Sequence, residues 1–310
     1  MKKHTRDRSD ELTLCKLEGG QVVRTRPLYE EVFSEDCEAF VEYYYENKAP
    51  GNTTFVLETD KREIVSMLHL TPYTLCIKTE GGWRNLPAYY VVAVATGEQY
   101  RHKGCMRRLL EAARVHCEQQ KVPYLYLMPA DPAIYRPFGY DYCYARPEFY
   151  VNYKEDDLPG GICCVEVTGE NNNTVIEELT GFTNAWLCAN CDFFALRTEK
   201  YYVNLLKELR AQKGNLYVFL HEGAVEGYYC RTGEGEPNMG CGRDCIQEAM
   251  LSEKLIAEFE RYGRKPPILI SEHRHEIIMG KRIMPVWKAL FQEQENLISL
   301  QRAGWLTELV

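Results

Sequence analysis

Residues Ala88 to Ala145 read AYYVVAVATGEQYRHKGCMRRLLEAARVHCEQQKVPYLYLMPADPAIYRPFGYDYCYA, and the fold is decided here. The apolar run Tyr89–Ala95 is short and rich in β-branched residues, which predicts a buried strand. Gln99-Tyr100-Arg101-His102-Lys103-Gly104-Cys105-Met106 then opens a helix. Its core face is Met106, Leu109, Leu110, Ala113 and Cys117, with Arg107, Arg108, Glu111, Arg114 and Glu118 off that face. A second apolar run, Tyr124–Met128, predicts another strand, followed by a turn at Tyr135-x-x-Phe138-Gly139-Tyr140. Strand, basic glycine turn, helix, strand is the βαβ arrangement that places a phosphorylated ligand at a helix N-terminus.

A helix start leaves N–H groups unpaired and partially positive. Gly104 has no Cβ, so a ligand can approach the backbone closely. Arg101, His102, Lys103, Arg107 and Arg108 put five potentially cationic residues into eight positions of a chain whose net charge is −8. Together they suit a pyrophosphate; taken alone, the turn also reads as a solvated basic helix start. It is neither G-x-x-x-x-G-K-[ST] nor G-x-G-x-x-G, so a nucleoside-triphosphate loop and a dinucleotide fingerprint are both excluded.

Arg101-x-x-Gly104-x-Met106 resembles the R-x-x-G-x-[G/A] coenzyme A arm of the GNAT superfamily of N-acetyltransferases. Tyr135-x-x-Phe138-Gly139-Tyr140 is similar to that superfamily's Y-x-x-F-G-[FY] segment, in the right order and at a suitable separation. Met106 departs from the small residue usual at the end of the arm. That departure, with Ile134-Tyr135-Arg136-Pro137-Phe138-Gly139-Tyr140, resembles the multidomain enhanced intracellular survival (Eis-like) branch, whose members acetylate amines. The similarity is good over about residues 22–150.

The resemblance implies an α/β (mixed α+β) GNAT acyltransferase fold, with acetyl-CoA as cosubstrate. Arg101, His102, Lys103, Gly104, Cys105, Met106 and Arg107 would hold the pyrophosphate. Val94 and Thr96, at the end of the central strand, would pair with pantetheine. Tyr135 would serve the departing thiolate as proton or hydrogen-bond donor. A phenol near pKa ~10 protonating a thiolate near ~8.5 is uphill by about 2 kcal/mol. Tyr135 therefore needs a lowered pKa or acts late, through a hydrogen bond. In the branch the chain's terminal carboxylate can act as general base, which implies Val310; a water relay is the alternative. The acceptor would be a primary amine of a small molecule, aminoglycoside-like or a polyamine. A coenzyme A-binding sensor without transferase activity is the other reading.

The chain of 310 residues allows two domains. Residues 1–20 are expected to be a mobile tail, 21–155 the GNAT domain, and 156–310 a degenerate GNAT-like domain with a C-terminal helix and tail. The breakers in Lys154-Glu-Asp-Asp-Leu-Pro-Gly-Gly161 set the boundary. In the first part an edge strand is expected within 11–26 and one helix over 28–48. Strands follow at Thr53–Glu58, Ile64–Leu70 and Thr74–Lys78, with a closing hairpin near 140–153. In the second, strands are expected at Ile162–Val167, Leu216–Leu220, Val225–Cys230 and Ile268–Ser271, and helices near 173–188, 199–212 and 251–262. The acidic stretch Gly233-Glu-Gly-Glu-Pro-Asn-Met-Gly240 would repel a pyrophosphate, so this half is not expected to bind coenzyme A. The branch's sterol-carrier-like domain is expected to be missing.

Thirteen cysteines, an odd number, together with no apolar leader, predict reduced thiols and a cytoplasmic protein. Cys188-x-x-Cys191 and Cys241-x-x-x-Cys245 read as buried small hydrophobes, so no metal is expected. His116 reads as solvated helix surface, and His273 and His275 as a strand end. The acidic balance argues against nucleic acid and fits a cationic substrate. No run is long enough for a membrane helix. A homo-oligomer stays open.

Overall fold

The computed structural model describes residues 12–154, 158–169, 173–233 and 246–283. Val310, Cys241, Cys245 and residues 234–240 lie outside them. The elements in chain order are β1 (Thr13–Glu18), α1 (Arg26–Val32), α2 (Glu38–Tyr43), β2 (Thr53–Glu58), β3 (Ile64–Thr79), β4 (Gly82–Thr96), α3 (Cys105–Gln120), β5 (Tyr124–Leu127), α4 (Pro132–Tyr135) and β6 (Asp141–Val151). They continue with β7 (Ile162–Glu166), α5 (Asn173–Asn190), β8 (Phe193–Ala195), α6 (Glu199–Ala211), β9 (Asn215–His221), β10 (Ala224–Arg231), β11 (Ile246–Leu251), α7 (Glu253–Arg261) and β12 (Ile268–Arg282). Two compact units result. Among the described residues the first holds 12–73, 86–141 and 279–283, and the second holds the rest.

In the first unit the strands lie in the order β1-β2-β3-β4-β5-β12. β1 is paired with β2 along its whole length, from Thr13↔Glu58 to Glu18↔Thr53. The expected tail therefore does not extend through residue 20, because Leu17 is buried in the core and anchors the strand. β3 runs unbroken from Ile64 to Thr79, where the sequence reading had two strands. Pro72 lies just past the last β2 pair, Thr53↔Leu70, so its missing N–H costs no bond in that ladder.

The helix expected over 28–48 is broken. Phe33 leaves helical geometry at φ −107°, ψ 51°, and the turn that follows is fixed by the Tyr29 hydroxyl donating to Asp36 at 2.7 Å. α2 then continues into a wider π turn, Tyr44–Lys48. These helices cover a core that includes Leu17, Leu28, Tyr29, Tyr44, Met67 and Ala93. α3 buries Leu109, Leu110, Ala113 and Cys117, as its spacing requires. It also buries His116, which the sequence reading placed on the surface. That ring packs between Phe55 and Tyr89, at 5.6 and 5.8 Å, and burial holds its pKa below the ordinary value.

In the second unit β11, β10, β9 and β7 form an antiparallel sheet. The β9–β10 hairpin turns through Glu222 and Gly223, both at positive φ (52° and 85°), which matches the twist of a two-residue loop. Ser252 and Thr198 cap α7 and α6, each side chain accepting a backbone N–H at the first turn. Leu187, Phe194, Tyr202, Phe219 and Leu255 are among the core residues. Within it Arg197 donates to Glu248 at 2.7 Å, both side chains sealed from solvent, and the Tyr228 hydroxyl donates to the same carboxylate.

The hairpin expected near 140–153 is instead the single strand β6, whose sheet neighbour is β12. β12 is far longer than the four residues expected, because its polar stretch Ser271–Glu276 stays extended beside β6. His273 and His275 fall inside this strand rather than at its end, and His275 is paired with Glu148 at 2.8 Å. Among the described residues no helix is long and apolar enough to cross a membrane.

Candidate functional site

β4 and β5 run parallel but pair at only three positions, Ala88↔Tyr124, Tyr89↔Leu125 and Tyr90↔Tyr126. Beyond them β4 continues through Val91–Thr96, whereas β5 has one residue left, Leu127. Within that extension Ala93 sits at φ +51°, a conformation that costs a residue with a Cβ about 1–2 kcal/mol. A left-handed residue breaks the pleat, as in a β-bulge, and turns peptide groups out of the ladder. Val94 and Thr96 follow it and are half-buried.

The end of β4 is fastened. The Gly97 N–H donates to the Val65 carbonyl at 3.0 Å. The Ser66 hydroxyl donates to the Ala95 carbonyl at 3.0 Å and lies 2.8 Å from the Thr96 hydroxyl. Arg101 Nε donates to the Thr96 carbonyl at 3.2 Å. Of the two strand positions named from sequence, Thr96 thus already has its carbonyl engaged, and Arg101 is tied to the strand end.

From there the chain enters α3 through a turn with alternating backbone hand. His102 has φ +62° and Gly104 φ +81°. Histidine tolerates that region better than most residues, and glycine adopts it freely. A Cβ built on Gly104 would meet nothing within 4 Å, so space is open on the side where a ligand would approach. Gly104 offers no side-chain cap, so the first N–H groups of the sixteen-residue helix α3 face outward. His102, Lys103 and Arg107 are exposed around it, Lys103 over the Tyr100 ring at 5.1 Å. Cys105 is buried, its thiol directed to the Tyr100 carbonyl at 3.6 Å, and Met106 is half-buried. Arg108 points elsewhere, donating to the Leu12 carbonyl at 2.9 Å.

Tyr135 closes the short helix α4, which follows β5. Asp131 caps that helix by accepting from Ala133 N–H at 2.8 Å, and Pro132 fixes its first turn. The Tyr135 ring is buried, edge-on to Tyr140 at 6.0 Å, and among the described residues its hydroxyl has no hydrogen-bond partner. Burial pushes its pKa up to about 12. The lowered pKa that would make it a ready acid is therefore not provided. Gly139 turns the chain at φ +82°. Arg107 of α3 stands over Phe138, its guanidinium carbon 5.3 Å from the ring centroid. The two sequence motifs thus meet in space.

One group was not singled out from sequence. His69 is fully buried on β3, its Nδ1 2.8 Å from the Tyr44 hydroxyl. Burial drives its pKa down to about 3, so it is neutral. The signal was a polar residue inside the apolar run Ile64–Leu70. Cys188 is half-buried and Cys191 buried. Among the described residues no three His, Cys, Asp or Glu side chains are arranged to hold a metal.

Residues 16–143 match the protein family described as "Acetyltransferase (GNAT) domain". No curated protein matches the chain. Among solved structures, a probable N-acyltransferase from Enterococcus faecalis is similar at TM-score 0.63 and 14% identity, covering 88% of this chain and 73% of its own. A GCN5-related N-acetyltransferase from Anabaena variabilis is similar at TM-score 0.62 and 16% identity, covering 90% and 74%. Eis1 from Mycobacterium abscessus is similar at TM-score 0.61 and 11% identity, covering 90% and 75%. At these identities the likeness is one of fold.

Proposed function

We propose, from the match of residues 16–143 to the GNAT acetyltransferase domain, that the chain transfers an acetyl group from acetyl-CoA to a primary amine of a small molecule. One juxtaposition carries this reading: Arg107 over Phe138 joins an outward-facing helix start to the Tyr135 segment, beside a strand that has parted from its parallel neighbour. The open side of Gly104 fits a pyrophosphate against backbone N–H groups, with His102, Lys103 and Arg107 supplying charge. The part of β4 after Ala93 offers backbone to an extended pantetheine.

In the step itself the amine nitrogen forms a bond to the thioester carbonyl carbon, and the carbon–sulfur bond then breaks. The acceptor ammonium gives up one proton before it attacks and a second as the amide forms, both to water; the thiolate accepts a hydrogen bond and then takes a proton from solvent. A peptide N–H beside the left-handed Ala93 would suit the developing oxyanion. Tyr135, a weak acid here, stabilises the departing sulfur by donating a hydrogen bond. The net charge of −8 favours a cationic acceptor.

The raised pKa of Tyr135 is the one observation that favours the second reading, a coenzyme A-binding sensor. A panel of polyamines, aminoglycosides and simple primary amines separates the two. Amine-dependent release of free thiol from acetyl-CoA, with a matching acetylated product by mass spectrometry, supports transfer. Binding without amine-dependent thiol release supports the sensor.

A further inference from the structure

The face of the first unit's sheet covered by α1 and α2 seals a polar group inside an apolar core. Thr54 of β2 and His69 of β3 are directly opposite in register, so their side chains share one face, with Cβ atoms about 5 Å apart. Asn52 lies two residues before Thr54, on the same side. Exposure is 0% for Thr54 and His69 and 3% for Asn52. Asn52 Nδ2 donates to the Tyr44 hydroxyl at 3.3 Å, and that hydroxyl lies 2.8 Å from His69 Nδ1. Three atoms are left over: His69 Nε2, Thr54 Oγ1 and Asn52 Oδ1 have no partner among the described residues. A buried polar atom without a partner is costly, and native folds supply one.

We infer that these three atoms hold one buried, ordered water molecule and that His69 is fixed as the Nε2–H tautomer. Each of the three atoms gains a partner in that assignment. Tyr44 accepts from Asn52, so its single proton goes to His69 Nδ1. His69 then carries its own proton on Nε2 and gives it to the water. The Thr54 hydroxyl donates its proton to the same water, and the water donates one of its own to Asn52 Oδ1. Three protein partners is the usual number for a buried water. Neutral imidazole is required throughout, which agrees with the depressed pKa of His69. The Lys48 ammonium acts electrostatically on the Tyr44 hydroxyl.

The placement gives the unit a task. The Gly97 N–H to Val65 carbonyl bond and the Ser66 hydroxyl to Ala95 carbonyl bond fix the far end of the antiparallel β3–β4 pair. Counting back from them puts His69 beside the bulged stretch around Ala93. The hydrated histidine braces that stretch from within.

The test is NMR of the full chain with ¹⁵N-labelled histidine, the His69 signal being identified by its loss in His69→Asn. The expected result is a ring proton on Nε2, unchanged from about pH 5 to about pH 8, with a cross-peak to a long-lived water. Thr54→Val should weaken that cross-peak, and Thr54→Ser should retain it. A ring proton on Nδ1, titration within that range, or no water contact in the native chain overturns the inference, and the last of these needs neither Thr54 variant to fold.

Discussion

The guanidinium carbon of Arg107, in the first turn of α3, lies 5.3 Å from the centroid of the Phe138 ring. Arg107 therefore has two roles, as a cation beside the helix start and as a clamp on the segment that carries Tyr135. A cation–π contact at an exposed site contributes about 0.5–1 kcal/mol. Arg107→Ala should weaken acetyl-CoA binding and also lower turnover. Phe138→Leu should lower turnover with little change in affinity, since the charge remains. Identical effects of the two substitutions on affinity would show that the clamp, not the charge, is what binds.

Tyr135→Phe separates hydrogen bonding from proton transfer. With its pKa pushed up to about 12, the phenol would protonate a thiolate of pKa ~8.5 only at a cost of about 5 kcal/mol. A fall in kcat of about tenfold to a hundredfold is expected, with acetyl-CoA affinity unchanged. The native pH–rate profile should show no alkaline fall owing to this residue below about pH 10. An alkaline limb that vanishes in Tyr135→Phe would contradict the assignment.

What could be read from the sequence had a local cause. The spacing of Leu109, Leu110, Ala113 and Cys117 gave α3, and Gly104 with its basic neighbours marked the helix start. What could not be read depended on partners distant in the chain. β12 pairs Met279↔Leu127 and Arg282↔Tyr124, a match between segments separated by the whole second sheet. Ala93 carries no sequence sign of its left-handed backbone, because alanine is ordinary in a strand and the strain is imposed from outside. His116 was misread because a helix surface and a helix face covered by Phe55 and Tyr89 look alike until the strands are placed. His69 was visible only as a polar residue in an apolar run, and its meaning came from Tyr44, Asn52 and Thr54.

Acid stability follows from His69. The unfolded ring titrates near ~6.5, whereas burial holds the folded one to about 3. Between those values the unfolded chain binds the additional proton. Stability is then fully present above the unfolded pKa, falls as pH drops, and levels off below the folded pKa. From about pH 7 to about pH 5 the loss is about 2 kcal/mol. His116, also depressed by burial, acts in the same direction. Urea unfolding of the native chain and His69→Asn at the two pH values checks this; an equal loss in both would remove His69 as the source.

The buried pair Arg197–Glu248 in the second unit should behave as a matched set. Arg197→Met or Glu248→Leu alone leaves a sealed charge without its counter-ion, at a cost of about 3–5 kcal/mol. Arg197→Met with Glu248→Leu should recover much of that loss in a chemical denaturation series. A double variant as unstable as the sum of the singles would show that the charges are not coupled.

Calorimetric titration of acetyl-CoA into the native chain and into Arg101→Glu/Gly104→Asp, with circular dichroism establishing that both are folded, bears most directly on the helix start. Saturable binding by the native chain and none by the folded variant is the expected result. Equal affinity in the two would place the acyl carrier elsewhere, and the assignment of the Gly104 turn would fail.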